Sequence, residues 1–599
     1  MITRKLYYRI KNTKDRLVRS LHDLLEEVSF YWGGLVFLVI VYDLGFRHTI
    51  SYLFFAVCYL LYLWVFTLTL ALRSLRFPSK KKQQNWARWG LVLVLLLFTF
   101  YKFIQLRNQP ILGSTSYYLG LGLSGILILT DVSRKILNIY SRRFNPALLF
   151  VVSFGVLILL GTGLLMLPLA TVKNISFVDA LFTSVSAVCV TGLATVDVAT
   201  EFTRLGKVIL LVLIQLGGLG IVSFTSFFGY LYQGGFSLDN QLFLKDIATS
   251  ERLGDVFRSL VRIIVITFSI EALGAILIYV TISPELFEHS RQQWRFAIFH
   301  SISAFCNAGF SITPNGLFNE DIRYDYGFQW VIMFLVILGG IGFSIVTDFY
   351  YYLKHYVRQL YFRLNYGSPI VFMSRSVSIN TRLVLLLTGF LLVFGFATFF
   401  LTEYNNLLKQ HTTFWGKLTT AAFSAVTPRT AGFNTYDMGL MQPATILIFL
   451  VMMWIGASPG STGGGIKTTT FAVGLLNILS LAKGSDRLEV FGRRVPNESV
   501  RRAFSIMMLS LLLIGPAILM ITIFEPDKPL ISIAFECFSA FSTVGLSLNL
   551  TPTFGTASKI ILMLLMFVGR VGTFTLFVAF VRRVRYTNYQ YPNENIFIN

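Results

Sequence analysis

Apolar residues gather in long runs along the chain, and polar residues are confined to shorter stretches between them. The first four runs lie near 27–46, 49–72, 88–106 and 115–132. Each is close to the ~20 residues that a helix needs to cross a bilayer. The pattern therefore predicts membrane-spanning helices from the first run onward.

Further along the chain, two long apolar runs flank one short run, and this arrangement occurs four times. The leading long runs lie roughly at 147–169, 258–282, 382–402 and 503–524. The trailing long runs lie roughly at 206–232, 328–352, 444–478 and 557–581. Each short segment holds about a dozen residues, too few to span, and so predicts a re-entrant helix and loop. Two full crossings return each unit to its starting side, which predicts parallel repeats and not inverted ones.

Composition supports a membrane protein. The 599 residues are 55% hydrophobic and only 13% charged, which is more apolar surface than a soluble protein can bury. We expect an all-α polytopic membrane protein with four parallel helix–pore-helix–helix repeats around a central pore, plus about four extra N-terminal transmembrane helices. The predicted units are an N-terminal membrane extension over 1–145 and pore repeats over 146–240, 241–365, 366–490 and 491–599.

The net charge is +22, and the basic residues that produce it lie in short stretches beside the apolar runs, where residues that set membrane topology are found. Basic residues cluster in the head before the first run, in 73–88, and in the later stretches 353–382, 483–502 and 582–585. The positive-inside rule puts these stretches, and hence both termini, in the cytoplasm. The same clusters favour contact with anionic membrane lipids, and we expect no nucleic acid partner.

Internal repetition is the strongest feature of the sequence. Each of four segments contains Ser-Ala followed by a glycine, and Ser-to-Gly spacings are 6, 6, 8 and 6 residues. The longer spacing predicts a two-residue insertion around Pro428–Arg429. The segments are FTSVSAVCVTGL (182–193), FHSISAFCNAGF (299–310), TAAFSAVTPRTAGF (420–433) and FECFSAFSTVGL (535–546).

Four such segments converging on one axis suit a monovalent cation. Extended backbone at membrane depth is tolerated where it lines a polar cavity, and rings of carbonyl oxygens replace an ion's hydration shell. Glycine permits positive φ there, and the C-terminal ends of the preceding helices favour positive charge. The four glycine segments carry no ring of acidic side chains, which argues against a divalent-selective site.

A glycine-rich run, GASPGSTGGGIKTTT (456–470), resembles a phosphate-binding loop at first sight. That motif needs the lysine directly after its second glycine, but Ile466 follows Gly465 and the lysine is Lys467. The run follows a membrane helix and no soluble βαβ pattern. Six of its first ten residues are Gly or Pro, which predicts an interruption of the helix. Close helix packing is the alternative reason for the glycines.

The four glycine segments, together with TPRTAGFNT and GASPGSTGGGIKT, resemble the Trk/Ktr/HKT superfamily of potassium transporters over roughly 146–585. The resemblance implies potassium uptake, no enzymatic reaction and no cofactor beyond the transported ion. A serine at the first glycine goes with sodium preference in plant members, whereas all four positions here are glycine. The selectivity filter, with potassium at these residues, is expected at Val190, Thr191, Gly192, Leu193, Asn307, Ala308, Gly309, Phe310, Thr430, Ala431, Gly432, Phe433, Thr543, Val544, Gly545 and Leu546.

The resemblance also implies an intramembrane loop that gates the pore below the filter, over 456–465. Arg570 is expected to form part of this barrier, or else to pair with a loop carbonyl. Lys467 is either a second cation near the gate or a side chain that reaches the cytoplasmic surface. The candidate gate residues are Gly456, Ser458, Pro459, Gly460, Gly463, Gly464, Gly465, Lys467 and Arg570.

Three buried polar residues outside the filter also call for a role. His300 and Glu536 each precede the serine of their segment by three residues, and we expect them to hold the short helices by hydrogen bonds. Glu271 lies in a first helix, and its role is open. The glycine patterns at 215–220, 337–342 and 567–572 are expected to be packing or kink sites.

Members of the superfamily form homodimers and bind a cytosolic nucleotide-binding regulatory ring. We therefore expect a homodimer in the plasma membrane (the bacterial inner membrane), with the regulator as a separate polypeptide. Two other functions stay open: an ATP-driven pump, and a structural or sensory membrane protein whose repeats hold a partner. Whether transport is channel-like or coupled to sodium or protons is open as well.

Overall fold

Helices make up almost all of the regular structure in this computed structural model. One two-residue hairpin, β1 (Glu489–Val490) with β2 (Arg493–Arg494), is the sheet found in the part that is described. The described residues are 2–47, 49–50, 52–76, 82–108, 120–125, 127–128, 131, 146–220, 256–366, 378–485 and 487–580.

The N-terminal extension contains α1 (Ile2–Gly45), α2 (Tyr52–Arg76) and α3 (Lys82–Asn108). The first helix is longer than its apolar run because it continues through the basic head. Tyr62 is fully buried at the centre of an apolar cluster between these helices. The fourth predicted helix, near 115–132, lies largely outside the described residues.

Each of the four repeats has the predicted long–short–long order of helices. The first helices are α4 (Pro146–Leu165), α7 (Val256–Thr281), α11 (Ile379–Glu403) and α15 (Asn497–Phe524). The short helices are α5 (Phe177–Val188), α8 (Ser290–Phe305), α12 (Phe414–Val426) and α16 (Leu530–Phe541). The second helices are α6 (Arg204–Leu219), α9 with α10 (Tyr326–Ile341, Phe343–Tyr366), α13 with α14 (Pro443–Trp454, Thr468–Ala482) and α17 with α18 (Thr556–Val571, Thr573–Phe580). Single turns connect them at Val198–Glu201, Pro284–Leu286, Gly316–Phe318, Leu407–Gln410, Met438–Leu440 and Thr551–Thr553.

Five helices in the described residues are long and apolar enough to cross a membrane, or six if the bent pair α9–α10 counts as one span. The five are Leu24–Gly45, Leu53–Leu72, Val261–Thr281, Ile379–Glu403 and Asn497–Phe524. Large apolar side chains on α11, such as Phe390 and Val393, are exposed, as side chains that face lipid would be.

Two of the second helices are not continuous, contrary to the prediction over 328–352 and 557–581. The breaks fall at Gly342 and Gly572, which have φ values of 100° and 91°. Such a conformation favours glycine and ends a helix. The pair α9–α10 bends by 103° at its break. The predicted helix over 206–232 is described only to Gly220, which also has positive φ, 76°.

The repeats pack around one axis in chain order. The second helix of each repeat packs against the short helix of the next: α6 against α8, α9 against α12, and α13 against α16. The series closes because α17 of the fourth repeat packs against α5 of the first. The four short helices are therefore brought to a common centre.

Candidate ion pathway

Each short helix ends in a loop whose backbone is left-handed at two positions, namely the glycine and the residue two before it. The non-glycine members are Val190 (φ 56°), Asn307 (60°), Thr430 (66°) and Thr543 (50°). The glycines are Gly192 (95°), Gly309 (67°), Gly432 (76°) and Gly545 (92°). Side chains seldom adopt such φ values, so the same unusual conformation in four separate segments marks a shared requirement.

The four glycines form a closed ring, which we call the glycine ring. A Cβ atom on Gly192 would lie 2.5 Å from the Ala308 carbonyl oxygen, and one on Gly309 would lie 2.9 Å from that of Ala431. A Cβ on Gly432 would lie 2.5 Å from the Val544 carbonyl oxygen. The ring closes because a Cβ on Gly545 would overlap the Thr191 carbonyl oxygen. Each loop therefore lies directly against the carbonyl of its neighbour, with no room for a side chain.

Hydroxyl groups hold the loops in this shape. The Ser186 and Ser539 hydroxyls each accept a bond of 3.1 Å from the glycine N–H of their loop. The Ser303 hydroxyl donates to Phe310 O at 2.7 Å.

In the third repeat, the hydroxyl that holds the loop belongs to Thr427, which donates to Phe433 O at 2.6 Å. Ser424, which the sequence alignment pairs with the serines of the other repeats, donates instead to Thr420 O at 2.7 Å. The predicted insertion around Pro428–Arg429 gives the physical reason, since it shifts the loop relative to the helix end.

Buried polar side chains fix the segments that follow the ring. Glu536 accepts hydrogen bonds from Leu548 N (3.0 Å) and the Thr551 hydroxyl (2.7 Å). His300 Nε2 lies 2.8 Å from the Ser311 hydroxyl. Both contacts are of the kind expected from the sequence.

A cavity of about 290 Å³ lies against the glycine ring. All four ring glycines line it, together with residues that follow them in the chain. Its polar lining includes Asp197, Asn315, Asn434, Ser547 and Asn549. The cavity therefore gives a polar approach to the ring from the side on which the loops leave it.

The glycine-rich run lies against the opposite side of the ring. Residues 455–467, which we call the inner loop, separate α13 from α14. A Cβ on Gly463 would overlap the Thr430 hydroxyl, and one on Gly464 would overlap the Thr543 hydroxyl. Because Thr430 and Thr543 precede the ring glycines, the inner loop and the polar cavity lie on opposite sides of the ring.

Backbone hydrogen bonds tie the inner loop to the second repeat. Ser458 N donates to Gly340 O at 3.1 Å, and Thr462 N donates to Gly339 O at 3.3 Å. Phe343 N in turn donates to Gly460 O at 3.0 Å, at the break between α9 and α10. The side chains of Ser458 and Thr462 are buried.

Two cationic side chains hold the same loop. The Arg570 guanidinium donates to Thr462 O in the inner loop and to Gly217 O in α6, and so joins three repeats. Lys467 Nζ donates to Gly463 O at 2.7 Å, within the loop itself. The structure thus gives Arg570 the loop carbonyl partner that was one of its two predicted roles, and it places the partly exposed Lys467 side chain on a carbonyl of the loop.

The glycines in the other second helices allow close packing. A Cβ on Gly217, Gly339 or Gly569 would overlap the final carbonyl of the short helix in the same repeat. These carbonyls belong to Val188, Phe305 and Phe541, respectively. The patterns at 215–220, 337–342 and 567–572 thus contain both kinds of expected site. Gly217, Gly339 and Gly569 allow close packing, and Gly220, Gly342 and Gly572 are the kink positions.

Sequence reasoning missed Arg429 as a site residue. It is only 7% exposed, and its Nη2 donates to Gly456 O at 3.2 Å. A charged residue inside an apolar segment was the available signal. Glu271, whose role was open, accepts hydrogen bonds from Gln215 Nε2 at 3.0 and 3.1 Å and so links the first two repeats.

Known proteins are similar to this chain in sequence and in fold. A family model described as "TrkH: Cation transport protein" matches residues 132–589. The chain is 35% identical over 457 residues to the Ktr system potassium uptake protein B of Bacillus subtilis, covering 76% of this chain and 97% of that protein. It is 34% identical over 464 residues to the potassium/sodium uptake protein NtpJ of Enterococcus hirae, covering 76% of this chain and 98% of that protein. The crystal structure of the potassium transporter TrkH from Vibrio parahaemolyticus has a similar fold, with a TM-score of 0.55 at 16% identity, over 89% of this chain and 98% of that one.

Proposed function

Because this chain belongs to the TrkH family of cation transport proteins, we propose that it takes up potassium ions across the plasma membrane through the centre of its four repeats. The observation that carries the proposal is the closed glycine ring between a polar cavity on one side and the inner loop on the other. Such a pathway needs neither a cofactor nor a reaction on its substrate.

The glycine ring and the carbonyls beside it form the selectivity filter. Carbonyl oxygens of Thr191, Ala308, Ala431 and Val544 lie against the ring glycines, and their dipoles replace the water that surrounds a cation in solution. Glycine at all four positions keeps these carbonyls close together. The relatives' names include both potassium and potassium/sodium uptake, so sodium is the competing ion to measure.

The inner loop is the gate. It packs against the filter residues Thr430 and Thr543 on the side away from the cavity, where it blocks the exit from the ring. Its many glycines prevent a stable helix, so its conformation depends on a small set of hydrogen bonds. Arg570 contributes one of these bonds and also places a positive charge below the filter.

Regulation comes from a separate polypeptide. Three relatives are named as proteins of a Ktr system, which fits an assembly of several components. We propose that this chain forms a homodimer, binds a cytosolic nucleotide-binding regulatory subunit, and contacts anionic membrane lipids. Both termini lie in the cytoplasm, in line with the basic clusters.

Uptake of rubidium-86 into proteoliposomes tests the proposed function. We expect uptake that potassium suppresses at lower concentration than sodium does. Uptake that follows the rubidium gradient alone would identify channel-like transport, whereas dependence on an imposed sodium or proton gradient would identify coupling. No uptake under any gradient would overturn the proposal in favour of a structural or sensory protein, and vanadate-sensitive ATP hydrolysis would favour a pump.

Shortening the inner loop tests the gate separately. Deletion of Thr462–Gly464 removes the segment that lies against Thr430 and Thr543, and we expect basal rubidium uptake to rise. Reduced uptake by a variant that still inserts would show that the loop supports the pathway and does not block it.

A further inference from the structure

The third repeat departs from the packing of the other three where the inner loop begins. In the other repeats, a glycine of the second helix lies directly on the last carbonyl of the short helix. The corresponding glycine of the third repeat is Gly456, just after α13 ends at Trp454. A Cβ on Gly456 would overlap Gly464 O of the inner loop instead.

Arg429 replaces the missing contact. It immediately precedes the filter residue Thr430, and its Nη2 reaches Gly456 O at 3.2 Å. The bond therefore joins the third filter loop to the upstream end of the inner loop. It occurs in the one repeat that carries both the insertion and the inner loop.

The Arg429 guanidinium makes few other interactions. Within the described residues, no carboxylate pairs with it, and its buried Nη1 atom has no hydrogen-bond partner. A cavity of about 20 Å³, lined by Thr388, Val426 and Ala457 among others, adjoins the side chain. That volume holds about one water molecule. A buried cation without a counter-charge is costly, so its retention at this point calls for a role.

We propose that Arg429 is a positioning residue of the gate, which holds the upstream end of the inner loop at a fixed place relative to the third filter loop. This inference rests on the proposed function of the inner loop. Because Arg429 belongs to the third filter loop and its side chain contacts the inner loop, its loss affects loop position and ion selectivity together. Lys467 provides the contrast, since its ammonium donates to Gly463 O within the loop and, among the described residues, to no other group.

The test compares Arg429→Gln, Arg429→Lys and Lys467→Gln in the full chain reconstituted into proteoliposomes. We expect Arg429→Gln to raise basal rubidium uptake about tenfold and to lower the rubidium-to-sodium uptake ratio, because both segments lose their connection. Lys467→Gln should raise basal uptake without changing the ratio. Arg429→Lys keeps a charged donor group on a long side chain and should restore most of the parent behaviour. If the glutamine variant does not insert, Arg429→Met gives the same comparison without a donor.

A second measurement reports on loop position without transport. Ser461 lies in the inner loop, partly exposed, and its hydroxyl bonds only to Ser458 O among the described residues. We expect a membrane-impermeant thiol reagent to modify Ser461→Cys faster when Arg429→Gln is also present, with the parent chain as the background. Unchanged modification and an unchanged ion ratio would overturn the inference, as would an Arg429→Lys variant as impaired as Arg429→Gln. Absence of uptake by the parent would instead overturn the proposed function, and the modification rate would still report on Arg429.

Discussion

The Lys559 ammonium lies 2.8 Å from the Asp179 carboxylate, although the two residues are 380 positions apart in the chain. Lys559 belongs to α17 of the fourth repeat, and Asp179 lies in the first turn of α5 in the first repeat. Their side chains are only 14% and 19% exposed. The pair therefore joins the fourth repeat to the first. These two repeats are neighbours in the ring, but they are not consecutive in the chain.

Lys559→Met tests this closure. Removal of one partner leaves a largely buried carboxylate without its counter-charge, and we expect a loss of about 1–3 kcal/mol of stability, between the values for exposed and fully buried pairs. Thermal unfolding in detergent measures it. The control is Glu498→Gln, which breaks the exposed pair with Arg502 (68% and 59% exposed) and should change little. Equal effects of the two variants would contradict the closure.

Gly192→Ser tests the proposed selectivity filter. A Cβ at this position would lie 2.5 Å from Ala308 O at a φ of 95°, so a side chain must displace the ring carbonyls. We expect the potassium-to-sodium uptake ratio to fall about tenfold, which corresponds to ~1.4 kcal/mol of discrimination. Gly163→Ser is the matched control, since nothing lies within 4 Å of a Cβ there. An unchanged ratio in Gly192→Ser would remove this loop from the filter.

Arg570→Ala tests the proposed electrostatic barrier below the glycine ring. At an effective dielectric of ~20, a unit charge about 8 Å from an ion contributes about 2 kcal/mol of repulsion. That energy corresponds to roughly a thirtyfold change in occupancy. We expect basal uptake to rise by up to this factor.

Arg570→Lys separates charge from geometry. The guanidinium bonds to carbonyls on two elements, Thr462 O and Gly217 O, and an ammonium at the end of a lysine replaces that fork poorly. We therefore expect uptake between the parent and alanine values. Parent-like uptake by a well-inserted alanine variant would place the barrier elsewhere.

His411 predicts a pH dependence of stability outside the membrane. Burial, reinforced by the positive charges of Arg323 and Lys417, lowers its pKa from 6.5 to about 4. Between these values the unfolded chain binds a proton that the folded chain does not, so stability is full above pH 6.5 and falls as the pH drops toward 4. The slope is at most about 1.4 kcal/mol per pH unit.

Thermal unfolding of the parent and of His411→Gln between pH 4 and 7.5 measures the effect. We expect the parent to lose stability more steeply than the variant as the medium becomes acidic. Replacement of the exposed His289 by glutamine is the control and should keep the parent slope. An equal slope in His411→Gln and the parent would contradict the prediction.

The sequence predicts those parts of the pathway whose cause is local. Four segments with the same spacing indicate one backbone shape repeated four times, and glycine is needed where that shape requires positive φ. The long–short–long order follows from run lengths alone. The all-α membrane fold was predicted for these reasons, and the family match and the similar solved fold confirm it.

Contacts between distant segments could not be predicted in this way. The Arg429–Gly456 bond and the Lys559–Asp179 pair depend on how helices from separate parts of the chain meet. Alignment of the four segments also paired Ser424 with the serines that hold the other three loops. In the structure Thr427 makes the bond to the loop, because the insertion shifts the loop relative to the helix end. The patterns that contain Gly342 and Gly572 were expected to be packing or kink sites, because each pattern also contains a packing glycine, Gly339 or Gly569. Full helix breaks at these positions were not predicted.

The covalent linkage of four unlike repeats has a steric consequence for the inner loop. A symmetric assembly of four identical subunits would send four copies of any axial segment to the same point. The space under the glycine ring is filled by Gly463 and Gly464 of one copy, so four copies would exclude one another. Only a chain that breaks its own fourfold symmetry can lay a single segment across the axis, and divergence of the third repeat is thus a condition for the position of the inner loop.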